Sequence, residues 1–177
     1  EYSDEDLLAE NTAPSSINIG FVGVGGGGNK MANAFIELGF NKTLLVNTTS
    51  KDIPKNVEED HVVLIPDSDG IGKNTEYGKE VFTMNGAIIE DALRIKLGKV
   101  DWLFVLAGGG GGTGSSVTAL HPVFERYMKS VQSSGKVVYI VSWPTAQENL
   151  NPTIARNALT LANDVAKYPH IILDNER

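Results

Sequence analysis

"AGGGGGTGSS", residues 107–116, sets five consecutive glycines directly after the apolar run "DWLFVL" at 101–106. Glycine surrenders more backbone freedom on folding than any other residue, so such a run is costly to order. A second set, "GVGGGGN" at 23–29, follows another apolar run, "INIGFV" at 17–22. Flexible linkers are glycine-rich too, but they do not start at the end of a strand and lead into a helix. The two loops therefore pose one question: what needs a bare backbone at two strand ends?

Working outward, the apolar runs form a series. After 17–22 come "TLLVN" (43–47), "HVVLI" (61–65), "VDWLFVLA" (100–107), "KVVYIVS" (136–142) and "HIILD" (170–174). They are continuous rather than alternating, as strands buried on both faces should be. Helical spacing lies between them. Residues 29–38 have it, and the stretch 79–97 places Val81, Met84 or Asn85, Ile88, Ala92 and Ile95 near one face, with Gly98 as C-cap. The stretch 152–167 opens on Asn151 as N-cap and Pro152 at the first helical position. The alternation predicts an α/β fold: a doubly wound, mainly parallel, Rossmann-like sheet flanked by helices.

Composition narrows the class. The 177 residues carry 15 Lys+Arg against 22 Asp+Glu, a net charge of −7, and no Lys/Arg cluster. That argues against direct nucleic-acid or anionic-membrane binding, which needs clustered cations. With no cysteine, disulfides and thiolate metal sites are excluded, and His61, His121 and His170 have no metal-ligand spacing. No apolar stretch approaches the ~20 residues of a membrane span, and a cytoplasmic protein is expected. Residues 1–16 read as an acidic N-terminal extension and 17–177 as one domain. The chain begins at Glu1 and ends at Arg177, and both ends are expected to be trimmed.

In a doubly wound sheet, ligands bind beyond the carboxyl ends of the strands, where both glycine loops fall. Backbone N–H groups there can converge on phosphate oxygens, aided by the dipole of the following helix. Thr113, Ser115 and Ser116 add hydroxyls. A P-loop would need G-x-x-x-x-G-K-(S/T); "GGGGGTGSS" lacks the lysine, and "GIGKNT" at 70–75 lacks the rest. Gly23, Gly25 and Gly28 fit the dinucleotide fingerprint G-x-G-x-x-G, but "VNTTS" at 46–50 has no acid for the ribose, and a second polyglycine loop has no job in that scheme.

One family accommodates both loops. "GGGTGS" at 110–115 matches the (G/A)GGTG(S/T) signature of the tubulin/FtsZ superfamily, and "GVGGGGN" resembles its first phosphate loop. "VNTTS" resembles its "NTD" loop; "GIGKNTEYG" at 70–78 resembles its γ-phosphate loop, keeping Gly72, Asn74, Glu76 and Gly78. "PTAQE" at 144–148 keeps the Pro and Glu of "PFxFE", and "ILDNER" at 172–177 resembles "IPNDRL". "LVNT", the "IP" and "GIGK" segment and "LDN" are similar to the TubZ-like branch of phages and plasmids.

The resemblance implies roles. Gly25, Gly26, Gly27 and Gly28, with Gly110, Gly111, Gly112 and Gly114, would offer N–H groups to the α- and β-phosphates of GTP or GDP, and Thr113 and Ser115 their hydroxyls. Gly72, Lys73 and Asn74 would lie at the γ-phosphate, with Mg2+ bound through the phosphates alone. Asn47 would contact the ligand, Glu148 would accept from the ribose, and Asn29 and Asn175 would read the guanine edge. The implied function is guanine-nucleotide binding in a filament-forming cytoskeletal GTPase. Its partners would be further copies of itself, head to tail, and a DNA-binding adaptor, in segregating or positioning phage or plasmid DNA.

The departures matter equally. The family's Arg four residues after the Glu is Pro152 here, with Arg156 one turn further, and Trp143 replaces a smaller residue. Family members place a central helix and an acidic loop beyond the "IPND"-like strand, and that loop completes the neighbouring subunit's site. The expectation is that this chain holds no catalytic residue of its own and binds without efficient turnover. A non-polymerising nucleotide-binding module and a Rossmann NAD(P) enzyme are the alternatives.

Overall fold

The computed structural model describes residues 17–65, 71–72 and 74–174. Six strands form one sheet: β1 (Ile19–Val24), β2 (Thr43–Asn47), β3 (Val62–Leu64), β4 (Trp102–Gly108), β5 (Val137–Trp143) and β6 (His170–Asp174). Their order is β3-β2-β1-β4-β5-β6, and every neighbouring pair is parallel. The chain winds outward from β1 to one edge, returns to the middle at β4, and winds outward to the other. The strand order reverses between β1 and β4, whose last paired residues are Val24 and Ala107. The two glycine loops thus leave the sheet side by side at the switch point, where such folds bind ligands.

Helices cover both faces. α1 (Gly25–Glu37) packs on one, over Phe21, Leu45 and Leu106, with the Phe21 and Phe35 rings stacked at 4.0 Å between centroids. On the other face α2 (Thr75–Met84), α3 (Gly86–Leu97), α4 (His121–Ser130) and α5 (Pro152–Val165) enclose the larger core around Val22, Val46, Val105 and Tyr139. Successive strand residues serve opposite cores, which is why the strands read as unbroken apolar runs. The edge strand β6 is exposed throughout its length.

Two expectations on helices are corrected. α1 begins at Gly25 rather than Asn29, so the glycines are its first turn. The predicted single helix over 79–97 is two helices, broken at Asn85, whose side-chain amide donates to the Val81 carbonyl at 2.8 Å. The break shifts the buried face by one residue. Ile89, Leu93 and Leu97 are buried, whereas Met84, Ile88 and Ile95 are exposed. Gly98 does end α3, at a φ of +60° that suits glycine, and Asn151 does cap α5, accepting from the Thr153 and Ile154 N–H groups.

Part of the glycine content is packing. A Cβ on Gly23 would stand 2.7 Å from that of Ala32, and one on Gly28 would run into the Leu106 carbonyl. Bare backbone at both lets the first turn of α1 lie directly on β1 and β4. Gly28→Ala should therefore lose about 3 kcal/mol of stability, as overpacking against backbone does. Gly26→Ala, whose Cβ would meet Asp52 at an ordinary 3.4 Å, should stay within about 0.5 kcal/mol of the parent. Urea melts of both variants check this contrast.

Candidate nucleotide site

A cavity of about 510 Å³ opens at the switch point. Its floor is the loop from Gly108 to Gly114 together with Gly26, Gly27 and Gly72. Lys30, Met31 and Asp52 form one wall; Ser142, Pro144, Glu148 and Ile154 form the other. The N–H groups of Gly110, Gly111 and Thr113 donate to no described group, whereas those of Gly109 and Gly112 are held by the Ser142 and Gly72 carbonyls at 3.1 Å each. α1 has no side-chain cap: Val24 stands at its N-cap, and its first-turn N–H groups lack intrahelical acceptors. Free donors from two loops and an uncapped helix dipole make an anion cradle.

The glycines divide by task. Gly112 and Gly114 are needed for packing, since a Cβ on Gly112 would stand 2.6 Å from the Asn74 nitrogen and one on Gly114 would meet the Gly108 carbonyl. Around a Cβ on Gly111 there is nothing within 4 Å. Gly111 lines the cavity, and the space above it is open. The dimensions suit a nucleotide, and the polar floor suits phosphate.

Behind the floor lies a polar clamp. The Ser115 and Thr75 hydroxyls are 2.6 Å apart, Thr75 also donates to Asn157 Oδ1 at 3.0 Å, and Asn157 Nδ2 donates to the Gly110 carbonyl at 3.2 Å. Ser116 donates to the Thr75 carbonyl at 2.8 Å and to the Gly112 carbonyl. Ser115 and Ser116 are fully buried, so their hydroxyls fix the loop's shape instead of facing the cavity. Asn157 and Thr75 escaped the sequence reading. A short polar residue inside a helix face otherwise made of Ala158, Leu161 and Val165 is the signal that marks Asn157.

Other expected residues fall in three groups. Gly26, Gly27, Gly72, Gly110, Gly111, Gly112, Thr113, Gly114 and Glu148 line the cavity. Thr113 is nearly buried, its hydroxyl 3.0 Å from that of Thr48. Gly25, Gly28, Asn29, Asn47 and Asn74 do not line it. Asn74 caps α2 through the Tyr77 N–H, and Asn47 caps its own turn by accepting from the Thr48 N–H at 2.8 Å. Asn29 departs most from expectation. It is fully buried, its two amide hydrogens go to the Gly23 and Val46 carbonyls at 3.0 and 3.2 Å, and its oxygen accepts from Asn47. As placed, it ties the ends of β1 and β2 together and presents no edge to a base. Lys73, Asn175, the acids Asp67 and Asp69, and the extension 1–16 lie outside the described residues.

Arg156 is exposed and stands apart from the cavity wall. Among the described residues no cluster of three or more metal-ligating side chains occurs. The carboxylates of the described wall, Asp52 and Glu148, stand on opposite sides of it. No helix among the described residues is long and apolar enough to cross a membrane.

Fold and site together define a parallel α/β domain with two glycine loops framing a cavity at its switch point. The chain belongs to the tubulin/FtsZ family, matching the description "Tubulin/FtsZ family, GTPase domain" over residues 18–177. It is 32% identical over 163 residues to "Cell division protein FtsZ 2" of Haloferax volcanii, a match spanning 88% of this chain and 38% of that relative. Among solved structures it resembles CetZ2 from Haloferax volcanii in a GTPγS-bound protofilament, at a TM-score of 0.72 and 26% identity, over 90% of this chain and 50% of that one. It also resembles TubZ of Clostridium botulinum phage c-st, at a TM-score of 0.74 and 23% identity, over 89% and 53%. The chain spans less than half the length of the curated relative, and FtsZ, CetZ and TubZ are all similar to it.

Proposed function

We propose that this chain is the guanine-nucleotide-binding part of a filament-forming GTPase whose hydrolysis is completed between subunits. The observation that carries the reading is the pair of glycine loops whose free N–H groups and uncapped helix face one cavity, while Gly111 leaves open space above it. Glu148, exposed on the far wall, is the acceptor in place for ribose hydroxyls, its Oε1 held by the Thr145 hydroxyl at 3.1 Å. Bound GTP would supply the phosphoanhydride and, through its phosphates, hold Mg2+. Lys73 and Asn74 belong to the γ-phosphate end on this reading, and Asn175 to the base.

Head-to-tail self-assembly is proposed because relatives are solved as protofilaments, as the CetZ2 structure is. A role in moving or positioning phage or plasmid DNA through an adaptor rests on the TubZ-like segments of the sequence. A non-polymerising module is the second reading; sedimentation of the protein with GTP separates it from the first, since only a filament former pellets. Guanine should be preferred over adenine. In competition titrations GDP should displace a fluorescent guanine nucleotide at a concentration at least about tenfold lower than ADP, a difference of about 1.4 kcal/mol. Equal affinities would overturn the guanine assignment.

A further inference from the structure

A trans peptide unit is planar, so its N–H and its C=O point in opposite directions, and fixing one end fixes where the other aims. Backbone groups fix several units in the floor of the cavity. The Gly109 N–H donates to the Ser142 carbonyl at 3.1 Å. The unit joining Gly111 to Gly112 is held at both ends, its N–H by the Gly72 carbonyl and its oxygen by the Ser115 N–H, at 3.1 Å each. The unit joining Gly110 to Gly111 differs. Its N–H donates to no described group, and among the described residues its oxygen is held by one side chain, the Nδ2 of Asn157 at 3.2 Å.

Asn157 is buried on α5 and lies outside the cavity lining, whereas Gly110 and Gly111 line it. Its amide is itself oriented: Oδ1 accepts from the Thr75 hydroxyl at 3.0 Å, so the end that meets the Gly110 oxygen is the donating one. With glycine on both sides of the unit, no Cβ opposes its rotation by half a turn. Such a flip would set a carbonyl oxygen where an N–H stood. Toward a phosphate, that exchanges a charge-assisted donor for a repelling partial negative charge.

We propose that Asn157 is a positioning residue of the nucleotide site: by holding the Gly110 carbonyl from behind the floor, it keeps the Gly111 N–H aimed at a phosphate oxygen. This rests on the cavity being a nucleotide pocket. Asn157 acts through the peptide it holds, not by touching the ligand.

The test titrates GDP and inorganic pyrophosphate into the parent, Asn157→Leu, Asn157→Ala and Leu161→Ala. Asn157→Leu should bind both ligands about tenfold or more weakly, and by the same factor, since one hydrogen bond to a charged group is at stake. Asn157→Ala, which introduces no extra bulk, should show the same loss and serves if the leucine variant does not fold. Leu161 is buried on α5 one turn beyond Asn157, faces the core and lines no part of the cavity. Its truncation should lower the melting temperature yet leave both affinities within about threefold of the parent's. In nitrogen-labelled parent protein the Gly111 amide resonance should move downfield on saturation with pyrophosphate, and in the Asn157 variants it should not. Parent-like affinities in both Asn157 variants, a loss for GDP that pyrophosphate does not share, an equal loss in Leu161→Ala, or a Gly111 amide that still responds as in the parent would each overturn the proposal. A parent that binds neither GDP nor pyrophosphate would overturn the nucleotide reading itself, and is told apart because it needs no variant.

Discussion

Gly111→Val should fold like the parent and lose GDP binding by about a hundredfold or more, equivalent to about 2.7 kcal/mol. The expectation rests on a contrast within one loop. A Cβ at Gly111 meets nothing within 4 Å, and Gly111 is not among the glycines at positive φ, so valine enters without clash or left-handed strain. Its methyl groups then occupy the space above an N–H that donates to no described group. Gly112→Val behaves differently. Its Cβ would stand 2.6 Å from the Asn74 nitrogen and 2.8 Å from the Gly72 carbonyl oxygen, so it should unfold the loop and lower the melting temperature. Calorimetry of GDP binding with thermal melts of both variants decides the matter. A Gly111→Val protein that binds GDP like the parent would make the whole loop structural.

The sheet was legible because its central strands, β1, β2, β4 and β5, are largely buried on both faces. Each of the six apolar runs became a strand, whereas the strand order, with its reversal between β1 and β4, depends on which strands pair and was not read from the sequence. What escaped was helix phase. Reading α1 from Asn29 instead of Gly25 treated the glycines as loop, although they form the first turn of the helix. A glycine-rich first turn has poor intrinsic propensity, and it is tertiary contact with Leu106 and Ala107 that makes it helical. The break at Asn85 was hidden for a similar reason: the apolar spacing runs across it, while a Cβ at Gly86 would stand 3.0 Å from Val123, so Gly86 brings α3 close to α4. Side-chain amides and hydroxyls were the least legible. Asn29, Ser115 and Ser116 have the chemistry of ligand contacts, and local sequence does not say whether such groups face a cavity or satisfy buried carbonyls.

The same cavity predicts a protein that holds its nucleotide and waits. The 177-residue chain should bind GTP yet release phosphate at no more than a background rate. Hydrolysis requires a water held in line with the γ-phosphate and charge stabilised as the bond breaks, and a cradle of N–H groups positions the phosphates without orienting the water. Glu76 stands in the first turn of α2, is exposed, approaches Lys79 at 4.0 Å, and is not in the cavity wall. Asp52 sits against Gly26, toward the first turn of α1, and Glu148 is engaged with Thr145 at the opposite wall. On the function proposed above, the acid that orients the water comes from a neighbouring subunit rather than from Glu76, Asp52 or Glu148, so none of these three should support turnover by itself. Phosphate release is to be measured across a range of concentrations for the chain, for Glu76→Ala and for Asp52→Ala. Background rates in all three are the expected result. Robust, concentration-independent release by the chain, lost in either variant, would mean that one subunit carries a complete site and that assembly is not part of the chemistry.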